Sequence, residues 1–508
     1  MEQYLNYQKN ASLPYISNIY IAKNATLPSI VAKTAPAIII TAKILITTDW
    51  YRPVINGVVT SVLNLTEQLE KRGHEVKVLT LSRNCHSYKE ENVIYAGSVG
   101  MGKIYPQARV KIPVVAGEYM EELLAWKPDL IHSQCEFSTF FLAKRIAGEL
   151  DIPIIHTYHT VYEDYTHYFS PQKAWGRSLV QMMTRKLSDQ VDAMIAPSGK
   201  IERILEGYRV SCPVNVVPSG IDTEKYRKRI DDGSREALRE RYGIKEDEIV
   251  FVYVGRMAKE KNIEELLWYQ KSVQKNIKLV LVGDGPYRTT LEEKAKEYQV
   301  TDSVIFTGMV SPDEVARYYQ IGDLFVSAST SETQGMTYIE ALASGLLVFG
   351  RRDEVLKDLV DEGKSGYYFD DANELSQKWD VFFSKSKEER DALRAYCISK
   401  TAPYTESMFA HKALSVYNQA IDDYKRAYHV ERIRMVDDFV RLTVIRDCDN
   451  EPVKVMIPTD DFFDLKITKD TMLDAYLIDN YLDMQLFYKA FELMKKRVFS
   501  NDYTSYQM

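Results

Sequence analysis

Short apolar runs, each closing on a small or polar turn and leading into a helical stretch, recur along most of this 508-residue chain. KILITT (43–48), VKVLTL (76–81), DLIHSQ (129–134), IPIIHTYH (152–159) and AMIAPSG (193–199) form one series. IVFVYV (249–254), LVLV (279–282), VIF (304–306), LFVS (324–327) and LLVF (346–349) form a second. Runs this short and this apolar suit strands buried on both faces, because helices cover both sides of a parallel sheet. The alternation is the βαβ rhythm, and it predicts an α/β chain with two doubly wound parallel sheets. The first intervening helix carries Val59, Val62, Leu63 and Leu69 on its apolar face, with Gly73 as its stop.

The stretch DLFVSASTSETQGMTYIEALASGLLVFG (323–350) carries the densest chemistry. A buried strand is followed by a Ser/Thr-rich turn holding Glu332. Gly335 permits a tight backbone, and Met336, Ile339, Leu342 and Ala343 then recur at helical spacing. Free N–H groups around Gly335, Met336 and Thr337 suit an anionic diphosphate, and the helix dipole favours it. Glu332 before the helix can accept hydrogen bonds from hexose hydroxyls, and Glu340 inside it from a ribose. The plainer alternative is an ordinary strand–loop–helix with two solvated glutamates. GRMAKEKN sets Arg256 and Lys261 just after an apolar run, at the strand edge where open α/β sheets bind ligands. Arg in fork geometry and Lys as a point charge suit a diphosphate.

GVVTSV (57–62), TYHT (157–160), GRMAKEKN (255–262), VLVGDGP (280–286), FTGMVS (306–311) and the Glu332/Glu340 pair occur in this order. Together they resemble glycosyltransferase family four, retaining enzymes of the GT-B fold, over roughly residues 43–428. TDWYRPVINGVVTSV, TYHTVYEDYTHY and SETQGMTYIEALASG are most similar in wording to the family's bacterial diacylglycerol glucosyltransferases.

The resemblance implies two Rossmann-like domains facing a cleft. Residues 43–217 would take the acceptor and 218–404 the nucleotide sugar, with VNVVPSGID (214–222) at the junction. A last helix over 405–428 would cross back to the first domain. The implied reaction moves glucose from UDP-glucose to a membrane diacylglycerol with retention, by front-face displacement. His159 would approach the donor hexose, Arg256 and Lys261 would stabilise the leaving diphosphate, Glu332 would hold the hexose and Glu340 the ribose. Backbone at Gly57, Gly308, Gly335, Met336 and Thr337 would complete the donor site. No metal or other cofactor is implied. A soluble or cell-wall glycan acceptor, a non-catalytic nucleotide-sugar binder and a glycogen- or sucrose-type synthase are the competing readings.

Composition bears on partners and compartment. A formal charge of −7 argues against a general nucleic-acid binder. The acidic excess sits beyond residue 216, so the first half is better placed near an anionic surface. Five scattered cysteines without C-x-x-C spacing suit reduced thiols. No apolar run approaches the roughly 18 residues of a membrane span. The expectation is a cytoplasmic, peripheral protein at the inner face of the plasma membrane.

SPQKAWGRSLVQMMTRKLSDQ (170–190) reads as an amphipathic helix. Its stripe of Trp175, Leu179, Met182, Met183 and Leu187 is flanked by Arg177, Arg185 and Lys186. Such a helix suits a monotopic membrane contact, or else a core-facing position. Residues 1–42 read as a leader or loosely attached extension. Residues 429–508 read as an appendage: a hairpin over 437–458, with Asp447 and Asp449 in its turn rather than in a metal site, and then an amphipathic helix.

Overall fold

A computed structural model describes residues 41–100, 109–111, 117–163, 173–272, 276–425, 428–436, 439–446, 452–459 and 472–473. In the first half the strands are β1 (Lys43–Thr47), β2 (Glu75–Leu81), β3 (Tyr88–Glu90), β4 (Val93–Ala96), β5 (Ser98–Gly100), β6 (Arg109–Lys111), β7 (Leu130–Ser133), β8 (Ile154–Thr157), β9 (Ala193–Ala196) and β10 (Val214–Val216). β5 and β6 pair with each other, and the rest form one sheet in the order β10-β9-β8-β7-β1-β2-β4-β3. Every pairing in that sheet is parallel except β3 on β4.

The second half contains β11 (Ile249–Val254), β12 (Ile277–Val282), β13 (Val304–Gly308), β14 (Leu324–Ser327), β15 (Leu347–Arg351) and β16 (Gly366–Phe369). They form an all-parallel sheet in the order β13-β12-β11-β14-β15-β16. The two sheets are the Rossmann-like halves of a GT-B fold. Val250, Val252, Leu324, Phe325 and Leu347 are fully buried, because helices cover both faces.

Each sheet reverses direction once. The first runs outward from β1 through β2 to β4, then returns to place β7 on β1's other side; the second does the same at β11 and β14. Loops leaving the strands at such a reversal splay apart, and open α/β sheets bind ligands in that crevice.

The helix Glu406–Lys425 packs against the first sheet. Phe409, Ala413, Tyr417 and Ala420 share a buried cluster with Ile44, Ile46, Leu130 and Ile195. The spacing of 4, 4 and 3 residues is one helical face. Arg72 Nη2 donates to the Ser407 carbonyl at 2.8 Å, clamping the helix start to the helix Gly57–Lys71. In that first helix Leu65, not Leu63, completes the buried face with Val59, Val62 and Leu69.

Beyond the helix, β17 (Tyr428–Val436), β18 (Phe439–Arg446), β19 (Pro452–Pro458) and β20 (Met472–Leu473) form an antiparallel sheet in the order β19-β18-β17-β20. The expected hairpin is β18 and β19. β17 lies ahead of it and begins at Tyr428, the last residue of the expected helix, so most of this strand falls at the start of the expected appendage, for which no element was read. Asp447, Asp449, the reading of residues 1–40 and the final helix lie outside the described residues.

Candidate active site

At the second reversal two loops are stitched together. After β11 the chain passes through 255–258, makes a 3₁₀ turn over Lys259–Lys261 and turns on Asn262. The glycine-rich turn after β12 braces this loop. A Cβ on Gly283 would lie 2.2 Å from the Gly255 carbonyl, and one on Gly285 2.3 Å from that of Met257. Those glycines allow close backbone packing and so hold the segment bearing Arg256. Across the crevice Ser331 Oγ donates to the Glu260 carbonyl at 3.1 Å. Lys261 Nζ then reaches Glu332 Oε1 at 2.8 Å, with both side chains about one-fifth exposed (20% and 18%).

Burial alone would raise the Glu332 pKa. The Lys261 charge and hydrogen bond, with Ser329 and the Lys200 charge, outweigh it and hold the carboxyl below its usual range. Glu340, inside the helix Met336–Ala343, goes the other way. Burial raises it, and hydrogen bonds from Tyr319 (2.7 Å) and Tyr226 only partly offset that. Gly335 precedes the helix at φ 75°, and a Cβ there would meet Tyr338 Cδ2 at 2.5 Å, so only glycine fits. The N–H groups of Met336 and Thr337, at the start of the helix, lack intrahelical acceptors, whereas those of Tyr338 and Ile339 donate to the Gly335 carbonyl. Arg256 Nη2 lies 3.5 Å from Glu260 Oε1, with its guanidinium 41% exposed. Gly308 ends β13 at φ 76°.

The first domain closes on this loop. A Cβ on Gly57 would sit 3.5 Å from Met336 Sδ, so the start of one helix faces the start of the other. Gln334 receives the Ser219 N–H at 2.8 Å and donates back to the Ser219 carbonyl at 2.7 Å, which ties the loop to the junction between the domains. Ser198 Oγ donates to the Thr333 carbonyl. Lys200, at the start of the helix Gly199–Tyr208, donates to the Thr330 carbonyl at 3.0 Å and to Asp353 at 2.9 and 3.2 Å. Its ammonium thus has three acceptor oxygens from two residues, partnering of the kind a buried charge requires.

The first reversal has another character. Asp49, after β1, accepts from Thr139 N–H (2.8 Å), Thr139 Oγ1–H (2.7 Å) and Ser138 N–H (3.2 Å), so a distant strand caps the helix Ser138–Leu150. Burial pushes its pKa up to about 6 against those bonds. His159, half-buried beyond β8, sets Nε2 2.6 Å from Gln134 Oε1. Burial lowers its pKa to about 4; Glu136 opposes and His156 assists. The imidazole is therefore neutral at pH 7.

Comparison with known proteins fits this arrangement. Residues 55–225 match the model of Glycosyltransferase Family 4, and residues 234–399 match that of Glycosyl transferases group 1. The chain is 39% identical to an alpha-monoglucosyldiacylglycerol synthase of Streptococcus pneumoniae, over 63% of this chain and 74% of that one. It is 32% identical to an alpha-monoglucosyldiacylglycerol synthase of Acholeplasma laidlawii, over 73% of this chain and 96% of that one. The chain belongs to glycosyltransferase family 4. A crystal structure of Anabaena HepE with UDP and glucose superposes with a TM-score of 0.59 at 14% identity, covering 74% of this chain and all of that one, a likeness of fold.

In this family-4 glycosyltransferase the helix Lys173–Ser188 divides the stripe expected of it. Val180, Thr184 and Leu187 are buried in the first domain, whereas Met182 and Met183 are 49% and 53% exposed. Leu187 and the methionines therefore lie on different faces, which corrects the single-stripe reading. Arg177 pairs with Glu163 at 2.9 Å, Arg185 donates to the Tyr208 carbonyl and Lys186 is exposed; the Trp175 side chain lies outside the described residues. No helix among the described residues is long and apolar enough to cross a membrane.

Gln134, Lys200 and Gln334 went unread in the sequence. Gln134 follows His132 at strand spacing, directly beyond an apolar run, and that position is the signal that could have found it.

Proposed function

We propose that this glycosyltransferase moves glucose from UDP-glucose to a membrane diacylglycerol, with retention at the anomeric carbon. The observation that carries the donor half is the Lys261–Glu332 pair, set at the second reversal beside the start of the helix Met336–Ala343. The two relatives named above as alpha-monoglucosyldiacylglycerol synthases support the acceptor, the sugar and the α-linkage. The UDP and glucose bound by the Anabaena structure support the donor class.

In this reading the ionised Glu332 accepts hydrogen bonds from hexose hydroxyls, and Lys261 sets its orientation. Glu340 receives the ribose hydroxyls. The diphosphate meets the N–H groups at Met336 and Thr337 together with the Arg256 and Lys261 cations. Backbone at Gly57 and Gly335 admits the donor closely, and the backbone at Gly308 meets the base. The bond from C1 to the phosphate oxygen breaks as the bond from C1 to the acceptor oxygen forms on the same face. The acceptor's proton passes to the departing phosphate oxygen. The protein supplies orientation and charge stabilisation, and no metal is needed where cations and a helix dipole do that work.

The acceptor requires a bilayer contact. Exposed Met182 and Met183, flanked by Arg177, Arg185 and Lys186 on the same helix, support a monotopic approach to an anionic surface. The described Cys85, Cys135 and Cys397 are free thiols, which supports the cytoplasmic face.

The test is a transfer assay with labelled UDP-glucose and vesicles containing diacylglycerol. Label in an α-linked monoglucosyl lipid is the expected result. Label in a soluble glycan from a cell extract, with none in lipid, would move the acceptor out of the membrane. Binding of UDP-glucose without turnover on any acceptor would make the protein a nucleotide-sugar binder.

A further inference from the structure

We propose that Gln134 is a positioning residue for His159. Its side-chain carbonyl holds the imidazole Nε2–H and leaves Nδ1 as the one ring atom able to accept a hydrogen bond from a substrate hydroxyl. The proposal rests on the reading above that His159 faces the donor sugar.

The geometry comes from four elements. Gln134 follows β7, its backbone N–H donates to the Thr47 carbonyl at 2.8 Å, and its side chain is 1% exposed. Its amide oxygen lies 2.6 Å from His159 Nε2. A carbonyl oxygen can only accept, so the imidazole proton sits on Nε2. The amide nitrogen at the other end lies 3.1 Å from both ring nitrogens of His132, which gives the NH₂ group an electron-rich partner and fixes which way the amide points.

His132 is itself immobilised. Its Nδ1 lies 2.6 Å from the Tyr417 hydroxyl and its Nε2 2.7 Å from Thr157 Oγ1, with the ring fully buried. Burial, with His159 and His156 nearby, drives the His132 pKa well down, and burial holds the Tyr417 phenol protonated. Hydroxyls both donate and accept, so the two contacts pin the ring at both nitrogens in either neutral tautomer. Tyr417 belongs to the helix Glu406–Lys425, which arrives from the other domain. A continuous buried chain therefore runs from that helix through His132 and Gln134 to His159, and a buried chain this fully partnered holds its geometry.

The chemical consequence is a restriction of role. A neutral imidazole whose proton is committed to Gln134 has no proton to give the substrate. It serves as a fixed acceptor, in line with a mechanism in which the departing phosphate takes the acceptor's proton.

The first experiment is nitrogen-15 NMR of the full chain labelled at histidine, near neutral pH, with and without UDP-glucose. The expected signature for His159 is a protonated Nε2 and a bare Nδ1, the latter shifting when UDP-glucose is added. A bare Nε2 in the free protein overturns the proposal. A protonated Nε2 with a His159 that ignores UDP-glucose upholds the role of Gln134 and removes His159 from the donor site.

Two variants add a kinetic reading. Gln134→Leu removes the acceptor, and kcat is expected to fall about 10–100-fold with a smaller change in KM for UDP-glucose. Gln134→Glu keeps the acceptor and adds a negative charge, to which His159, already facing Glu136, His156 and His132, responds with a raised pKa. That enzyme should work at alkaline pH and lose activity as pH falls through a value between about 4 and neutrality, where the wild type stays flat. Wild-type kcat in a folded Gln134→Leu enzyme, or a flat profile for Gln134→Glu, would overturn the proposal.

Discussion

The two sheet reversals face one cleft, yet they are built from opposite electrostatics. The second holds ions: Lys261 on Glu332 at 2.8 Å, the Glu332 carboxyl held below its usual range, and Arg256 reaching solvent. The first holds groups whose charged forms burial disfavours: His159 lowered to about 4, His132 held well below its usual range, and Asp49 raised to about 6. Similar topology thus offers two kinds of crevice. A charged, half-exposed one suits a nucleoside diphosphate, whose charge needs cations and N–H groups. A desolvated one of committed hydrogen bonds suits a hydroxyl-bearing partner that brings no charge.

The comparison breaks most sharply at the charged side. Lys261→Ala or Glu332→Ala should reduce transfer by about 10³-fold or more, the order seen when one pre-set stabilising group is removed from a reacting centre. The fold should survive, because the loops are braced by Gly283, Gly285 and Ser331 rather than by the ion pair. Initial rates and thermal unfolding on the same preparations check both halves. A folded Glu332→Ala enzyme with full activity would remove the charged crevice from catalysis.

Next in size is the contact that brings the crevices together. Lys200→Met strands Asp353 without its cation, and breaking one partner of a buried pair costs about 3–5 kcal/mol. Because the pair joins the domains, the loss should appear as poorer closure: a higher KM for the donor and faster proteolysis of the loop 328–335, with both sheets intact. Pairing it with Asp353→Leu should recover part of the loss. Unchanged kinetics in Lys200→Met would mean that closure rests on Gln334 and Ser198 instead.

Much of this was legible in the sequence and some of it could not be. Strands buried on both faces announce themselves as apolar runs, so β1, β7, β11 and β14 were readable, and with them the reversals. The three-residue β3, β5, β6 and β10 carry no run of their own and form because a neighbour offers a ladder. GYYF in β16 depends on a glycine, since a Cβ on Gly366 would meet the Val348 carbonyl at 2.0 Å, and that contact is invisible before the sheet exists. In the site, glutamates and cations could be picked out because a motif orders them. Gln134, Lys200 and Gln334 act on partners 25, 153 and 115 residues away, and only Gln134 carries a local mark, its place directly beyond an apolar run.

The desolvated side is sharpened by titration. Asp49 has its folded pKa raised from 3.8 to about 6, so the folded state holds the proton more tightly than the unfolded chain does. Stability should therefore fall as pH rises between about 4 and 6 and level off above, by about 2–3 kcal/mol in total. Asp49→Asn keeps a carbonyl to cap Thr139 but removes that titration, so its stability should fall less steeply across that window, with the slope from Asp192, also raised to about 6, remaining. Denaturant unfolding at several pH values reads the difference. Identical slopes in the two proteins would show that burial does not raise the Asp49 pKa, and the first crevice would no longer be the desolvated one.

The smallest effect is expected on the outer face of that same domain. If the desolvated crevice receives a lipid, the surface beside it has to meet a bilayer, and the helix Lys173–Ser188 supplies two exposed methionines next to cationic side chains. Each methionine is about half exposed in the free protein, so inserting it removes only part of a side chain from water, and about 1 kcal/mol each is a fair scale. Met182→Glu with Met183→Glu should accordingly weaken pelleting with anionic vesicles by about 10- to 30-fold, since two such losses add and each new carboxylate is also repelled. UDP-glucose binding in solution should be unchanged, because the donor crevice belongs to the other domain. Full vesicle binding by the double variant would make the two methionines ordinary exposed residues and would shift the membrane contact to another part of the first domain.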